Sequence, residues 1–279
     1  MTALLRLVRP KQWIKNTFVL APLVFARAYA DPTSIKLALL TFVLFCIASS
    51  ACYIVNDIHD IESDRAHPLK RLSRPLAAGT ISVRSAALLL AVLYGVLVVG
   101  FIVHPPLAVP IAGYIALNLA YSYYLKHQPV LDIFSIASGF VLRVYAGAEG
   151  IGVPLSSWMA ITTLCLALYL AAIKRRQELA TAGTDARKVL LEYSIALVDR
   201  YAEMSAVGAL IFYSLFVMSS GNDRMALTIP LVIFGLFRYW YVVEAKEGGE
   251  SPTDALLTDW PLIACIAAWG VACIYALMP

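Results

Sequence analysis

The residues best suited to chemistry lie in one short run, NDIHDIESD from Asn56 to Asp64, which carries four carboxylates and no Lys or Arg. Asn56, Asp60 and Asp64 follow at i, i+4 and i+8, and Asp57 stands three residues before Asp60 and seven before Asp64. On a helix these side chains share one face. Carboxylates a few ångströms apart repel by about 1 kcal/mol or more each at an effective dielectric of roughly 20. A divalent cation reverses that sign. Oxygen ligands that leave room for substrate phosphates are the usual setting for Mg2+, so Asn56, Asp57, Asp60 and Asp64 are candidate metal ligands. The competing reading, a solvated acidic turn closing a helix, does not explain why acid gathers where basic residues otherwise dominate.

Directly after it runs RAHPLKRLSRPLAAG, with Lys70, Arg71 and Arg74 set among the loop residues Pro68, Pro75 and Gly79. Acids that hold a metal beside cations that grip anionic oxygens make a diphosphate site. For any one of these cations, attraction to lipid headgroups is the alternative.

The elements that must carry this site are apolar. The chain of 279 residues is 61% hydrophobic and 14% charged, with a mean hydropathy of +0.76. A soluble domain carries roughly a quarter charged residues, so the apolar excess points to lipid. Nine apolar segments follow: Thr17–Ala30, Ile35–Val55, Ala86–Val103, Ala108–Leu125, Val130–Ala148, Leu155–Ile173, Tyr201–Ser219, Met225–Val243 and Trp260–Met278. Most approach the ~20 residues a helix needs to span hydrocarbon, and none alternates as a barrel strand does. The expectation is an all-α integral membrane protein of nine transmembrane helices, forming a single polytopic domain over residues 1–279.

Of the 22 Lys and Arg residues, 17 fall in one set of loops, three (Arg27, Lys36, Arg224) in the other, and Arg143 and Arg238 inside spans. That bias places the N-terminus and the acid run in the cytoplasm of a multi-pass plasma-membrane protein. The opening MTALLRLVRPKQWIKN is basic and lacks the apolar core of a signal peptide. Cys46, Cys52, Cys165, Cys265 and Cys273 lie inside apolar runs and read as small core residues. Arg143 stands within the fifth span, where a charge costs several kcal/mol unless paired or facing a polar cavity. Glu149 or a substrate phosphate are its candidate partners. Tyr123, three residues before Lys126, shares its helical face and is a candidate contact to substrate oxygens. Trp13, between Lys11 and Lys15, reads as an interfacial anchor, and His59 and His67 as structural or headgroup-level residues.

Taken together, N-D-x-x-D-x-x-x-D at Asn56 to Asp64 and the HPxKxxxRPLAxG run from His67 to Gly79 resemble the UbiA superfamily of membrane prenyltransferases. The opening RPKQWIKN (Arg9–Asn16), the stretch Tyr121–Lys126 and the nine-segment count extend that resemblance along the chain. It implies a UbiA-like helical bundle with a cytoplasmic-side, Mg2+-dependent site. Members that transfer isoprenoids to aromatic acceptors carry a second Asp-rich motif after the sixth helix. Here that place reads AIKRRQELATAGTDARK, with Lys174, Arg175, Arg176 and Glu178 and a solitary Asp185. RPKQWIKN, KRRQE and ESPTDALLTDWPL are more similar to the decaprenyl-phosphate phosphoribosyltransferase branch of actinobacteria.

That branch implies a donor, 5-phosphoribosyl diphosphate, an acceptor, polyprenyl phosphate, and a lipid-linked product that precedes cell-wall arabinan. Asp57, Asp60, Asp64, Lys70 and Lys126 are then the catalytic set, the acids holding Mg2+ and the lysines facing diphosphate. Lys15, Asn56, Arg74, Tyr123, Arg143, Lys174 and Arg175 are the substrate-binding set, with Lys174 and Arg175 for the ribose 5-phosphate or the lipid phosphate. Asp254 and Asp259 belong to a loop over the cytoplasmic mouth. Membrane lipids surround the protein, nucleic acid is no partner, and homo-oligomerisation stays open. The rival readings are an isoprenoid transferase acting on an aromatic acceptor and a transporter with a cytoplasmic divalent-ion site.

Overall fold

The computed structural model describes residues 3–68, 70–181, 188–245 and 258–278, with Lys70, Thr181, Lys188 and Ala245 described by backbone alone. Helices α1 (Ala3–Val8) and α2 (Ala21–Phe25) flank a 3-10 stretch, Pro10–Leu20. Then follow α3 (Pro32–His59), α4 (Ile61–Ala66), α5 (Lys70–Ser73), α6 (Val83–Val103), α7 (Ala108–Tyr123) and α8 (Leu131–Ile151). After these come α9 (Ser157–Thr181), α10 (Ile195–Ser219), α11 (Ile229–Ala245) and α12 (Trp260–Leu277).

Seven helices among the described residues are long and apolar enough to cross a membrane: Pro32–His59, Val83–Val103, Leu131–Ile151, Ser157–Ala180, Ile195–Ser219, Asp223–Glu244 and Trp260–Leu277. The chain is a multi-pass membrane protein. Two of the nine expected segments have another form. Thr17–Ala30 is not one helix: its first residues complete the 3-10 stretch, Pro22 opens α2, and Arg27 takes a left-handed φ of 57°. Ala108–Leu125 is a helix of 16 residues, because Tyr124 leaves helical geometry at φ −136°, ψ −56°.

In lipid, helices associate through close packing of small residues. A Cβ on Gly147 of α8 would lie 2.0 Å from the Val19 carbonyl oxygen, and one on Gly150 would lie 2.2 Å from Thr41 Oγ1. Those glycines let the 3-10 stretch and α3 lie directly against α8. One apolar core joins Phe45, Leu97, Ile111, Tyr114 and Ala146 across α3, α6, α7 and α8. A second joins Tyr169, Val198, Ala202, Tyr239 and Leu262 across α9 to α12. A smaller cluster packs Phe18 of the 3-10 stretch, Phe140 of α8 and Ala167 of α9 together. Outward residues such as Leu88 and Ile102 of α6 are exposed and apolar, as a lipid-facing surface requires.

α9 continues past the expected end at Ile173 to Thr181. KRRQELA is rich in strong helix formers, and Glu178 takes up Lys174 and Arg175 at i+4 and i+3. Lys174 and Arg175 are therefore on a rigid helix rather than on the loop the sequence suggested.

Candidate active site

α3 hands its phase to α4. The Asp60 amide donates to Asn56 O at 2.9 Å, and the Asp64 amide donates to Asp60 O at 2.8 Å. At 3.6 residues per turn, positions seven apart differ by about 20° and positions four apart by about 40°. The four motif side chains consequently form two pairs, Asp57 with Asp64 and Asn56 with Asp60, rather than the single cluster expected.

Asp57 is 2% exposed and Asp64 is also buried. The Arg9 guanidinium donates to Asp57 Oδ1 at 2.5 Å, and Arg74 donates to the same oxygen. Arg74 also lies 3.2 Å from Asp64 Oδ2, so one guanidinium spans both acids. Arg9 reaches Asp57 from a left-handed conformation, φ 55°, ψ 60°, which turns the chain between α1 and the 3-10 stretch. Its guanidinium stacks 4.9 Å above the Tyr53 ring.

The second pair faces α7. Asn56 Nδ2 donates to Asp60 Oδ2 at 3.0 Å, and Ser122 donates to Asn56 Oδ1 at 3.2 Å. Lys126 Nζ donates to Asp60 Oδ1 at 2.9 Å, and His59 Nδ1 lies 2.8 Å from that oxygen. Partial burial pushes the Asp60 carboxyl up. The hydrogen bonds from His59 and Lys126, with the charge of Lys126, outweigh it and hold the group below the usual carboxylate range.

Among the described residues no three His, Cys, Asp or Glu side chains converge as a ready-made metal shell. The expected four-ligand set is not assembled, because Asn56 and Asp60 are committed to Ser122 and Lys126. The Asp57–Asp64 pair does fit a divalent ion. Asp57 Oδ2 is buried without a hydrogen-bond partner, a condition that costs about 1–3 kcal/mol. Two carboxylates plus substrate phosphates are a sufficient Mg2+ site.

The other expected site residues are distributed unevenly. Tyr123 closes α7 and is exposed, its ring edge-on to His59 at 4.5 Å; Lys126 sits on the separate 3-10 turn Leu125–His127, so the shared helical face is not formed. Lys174 is partly exposed and 3.7 Å from Glu178, with Lys15 within Coulombic reach of it. Arg175 points inward and is fully buried, pairing with Asp132 Oδ2 at 2.5 Å, Tyr121 at 3.2 Å and Glu178. The Lys70 side chain, Asp185 and Asp254 lie outside the described residues. Asp259 caps α12 through the Leu262 amide and takes both arms of Arg238 at 2.9 Å.

Arg143 is buried in the bundle and does not meet Glu149. Its Nε donates to Asn16 Oδ1 at 2.9 Å, Nη1 to Gly139 O at 2.7 Å and Nη2 to Tyr114 at 3.0 Å. The rings of Phe45, Tyr114 and Phe140 surround it at 4.7–5.3 Å. Glu149 instead engages Tyr145 on its own helix. Trp13, read as an interfacial anchor, donates inward to the buried Ser50 at 3.0 Å.

Sequence reasoning missed Arg9, Asn16, Asp132 and Tyr193. Tyr193 accepts from the Val130 amide at 2.6 Å and donates to Asp132 Oδ1 at 2.7 Å. Burial, then the hydrogen bond to Asp132, hold its phenol well above the ordinary tyrosine range. The available signal was polarity inside apolar surroundings: an Asn at the head of the first segment and an Asp opening the fifth.

The model of the UbiA prenyltransferase family matches residues 17–257. The chain is 38% identical to a decaprenyl-phosphate phosphoribosyltransferase of Mycolicibacterium smegmatis, over 96% of its own length and 90% of the relative's. It is 36% identical to the enzyme of that name from Corynebacterium glutamicum, over 97% and 85% of the two chains. Among solved structures it resembles a UbiA homolog from Archaeoglobus fulgidus bound to DMAPP and Mg2+, with a TM-score of 0.73 at 20% identity, covering 99% of this chain and 100% of that one. The last likeness is one of fold. An all-helical bundle with its acid run at the end of α3, matched by the family model over most of its length, settles membership: the chain belongs to the UbiA prenyltransferase family.

Proposed function

We propose that the chain transfers 5-phosphoribose from 5-phosphoribosyl diphosphate to decaprenyl phosphate or a similar polyprenyl phosphate, releasing diphosphate. The observation that carries this reading is identity of 34–38% with decaprenyl-phosphate phosphoribosyltransferases over 94–97% of the chain. The product is a lipid-linked pentose phosphate, suited to feed cell-wall arabinan.

In this reaction a phosphate oxygen of the lipid attacks the anomeric carbon of ribose. The bond from that carbon to diphosphate breaks, and both electrons leave with the diphosphate. The nucleophile is already an anion, so no general base is required, in keeping with a His59 occupied by Asp60 and Tyr123. Negative charge develops on the leaving group, and cations held in place beforehand stabilise it without reorganising. Arg74, Arg9 and Lys126, mounted on the acid pairs, supply those cations, with Lys70 on the adjoining turn. A divalent ion such as Mg2+ at Asp57 and Asp64, when bound, neutralises part of the same charge. Asn56 and Asp60 orient Lys126. Lys174 and Lys15 serve the ribose 5-phosphate or the lipid phosphate, with Tyr123 at the rim. Arg143 and Arg175 act through the bundle rather than on substrate.

The same reading makes the chain one polytopic domain over residues 1–279 in a bacterial plasma membrane. The 3-10 stretch with α2 and the short α7 complete nine spans. The excess of Lys and Arg at the acid-run end supports a cytoplasmic N-terminus and site.

The test uses purified full-length protein in detergent with a polyprenyl phosphate, Mg2+ and 5-phosphoribosyl diphosphate labelled in the ribose. Label should enter the lipid fraction, stop with chelator and fail in Asp57→Ala. Coupling only between a prenyl diphosphate and an aromatic acceptor would move the chain to the isoprenoid-transferring side of its family.

A further inference from the structure

Asp132 opens α8 behind the site and is fully buried, as is its partner Arg175. Its two oxygens are divided: Oδ2 takes Arg175 Nε at 2.5 Å, and Oδ1 takes the Tyr193 hydroxyl at 2.7 Å. That hydroxyl also accepts the Val130 amide. Val130 has φ 68°, ψ −47°, and the Leu131 amide donates to Pro129 O at 2.8 Å, closing a three-residue γ-turn. A β-branched residue in this rare positive-φ turn is strained and persists only where its surroundings hold it. The clamp is the Tyr193–Asp132 pair.

The network has two outlets. Through the γ-turn it fixes the short turn Leu125–His127 and so Lys126, which faces Asp60. Through Arg175 it fixes the last turns of α9 and so Lys174, the neighbouring residue. Tyr121 on α7 also contacts Arg175 at 3.2 Å, tying the two outlets together. Buried ion pairs add little stability compared with apolar residues of similar volume, so such a pair says more about geometry than about folding.

We infer that Asp132 is a positioning residue that sets the spacing between two cationic arms of the site, Lys126 and Lys174, to match a donor with phosphate groups at both ends. The inference rests on the phosphoribosyl reading above and names a determinant of its donor specificity. One arm meets the diphosphate and the other the 5-phosphate, so loosening Asp132 costs affinity for the two-ended donor while sparing a one-ended anion.

The decisive variant is the double replacement Asp132→Leu with Arg175→Met, which removes both buried charges together and leaves neither unpaired. Thermal midpoint, KM and kcat for 5-phosphoribosyl diphosphate, and inhibition by inorganic diphosphate are measured on full-length protein. The expected result is a near wild-type midpoint, KM raised about tenfold or more, and a diphosphate inhibition constant changed less than about twofold. Tyr193→Phe, which keeps the ion pair, releases the turn and leaves the buried Asp132 carboxylate short of one hydrogen bond, should raise KM roughly threefold and lower the thermal midpoint while the protein still folds. A folded double variant with wild-type KM overturns the inference. If the double variant does not fold, an unchanged KM in Tyr193→Phe overturns it alone. A wild-type protein that moves no phosphoribosyl group overturns the function reading, and the spacing argument with it.

Discussion

Asp57 and Asp64, seven residues apart, grip the same guanidinium, that of Arg74. The relationship depends on α3 and α4 keeping one helical phase through Asp60. It gives Arg74 two duties, holding a buried acid pair together and offering charge to an anion.

Removing Arg74 separates those duties. Arg74→Gln should lower kcat/KM by about 10²–10³, the scale of losing one organised cation at a developing charge. The two acids left behind repel each other, so added Mg2+ should raise the thermal midpoint more in Arg74→Gln than in wild type. Equal midpoint gains in the two proteins would show that Arg74 and the ion do not share the acid pair. Arg74→Lys should recover part of the activity, because both carboxylate contacts come from one guanidinium nitrogen, Nη1, and an ammonium can supply such a point charge.

Lys126 gives a pH-dependent prediction. The Asp60 carboxyl titrates below its ordinary value, net of a burial effect that acts the other way. Its stabilisation is therefore complete above the unfolded-state value of about 3.9 and is lost as pH falls through the lower folded value. Asp60 is partly exposed, so the pair contributes no more than about 1 kcal/mol. Thermal midpoints of wild type and Lys126→Met should differ by a constant amount from neutral pH down to about pH 4 and converge below it. A difference that grows on acidification would contradict the sign of the Asp60 shift.

How much of this could be read from sequence depends on the range of each contact. The phase of Asn56, Asp57, Asp60 and Asp64 is local, so the shared helical run was legible, but the four were expected as one cluster and the structure divides them into two pairs. The basic bias of one set of loops is additive and needs no folding. Arg9 was not legible, because it meets Asp57 across 48 positions through a left-handed turn whose residue type gives no warning. Asp132 looks like any acid in a first helical turn, where it would favour the helix dipole. Only the packing of α9 and Tyr193 against it shows a buried pair. Glu149 was the nearest acid to Arg143 in sequence. A guanidinium in lipid takes whatever oxygens and ring faces the bundle brings, and here these come from Asn16, Tyr114, Phe45 and Phe140.

That enclosure of Arg143 is testable without substrate. Tyr114→Phe keeps the ring face and removes one hydrogen bond to a charged group, which should cost about 1.5–3 kcal/mol of stability. Arg143→Lys should cost more, because a single ammonium cannot reach Asn16, Gly139 and Tyr114 together. Denaturation in mixed detergent would rank the two. If Arg143→Lys is the milder change, the fork geometry does not matter to the bundle.

Asp259 combines two roles that substitutions can pull apart. It caps α12 by accepting the Leu262 amide at 3.1 Å, and it holds Arg238 of α11 through both carboxylate oxygens. Asparagine caps helices about as well as aspartate, so Asp259→Asn should lose mainly the two-armed ion pair. Asp259→Ala loses the cap as well, a further cost of about 1 kcal/mol. With Arg238→Met as the background, the pair is already absent, and the Asn variant should then be nearly neutral while the Ala variant keeps its capping cost. Measuring the five variants (the two Asp259 singles, Arg238→Met and the two doubles) beside wild type yields the coupling directly. An Asn variant as damaging in that background as in wild type would mean that Arg238 does not hold the carboxylate and that α11 and α12 are joined by their apolar faces alone.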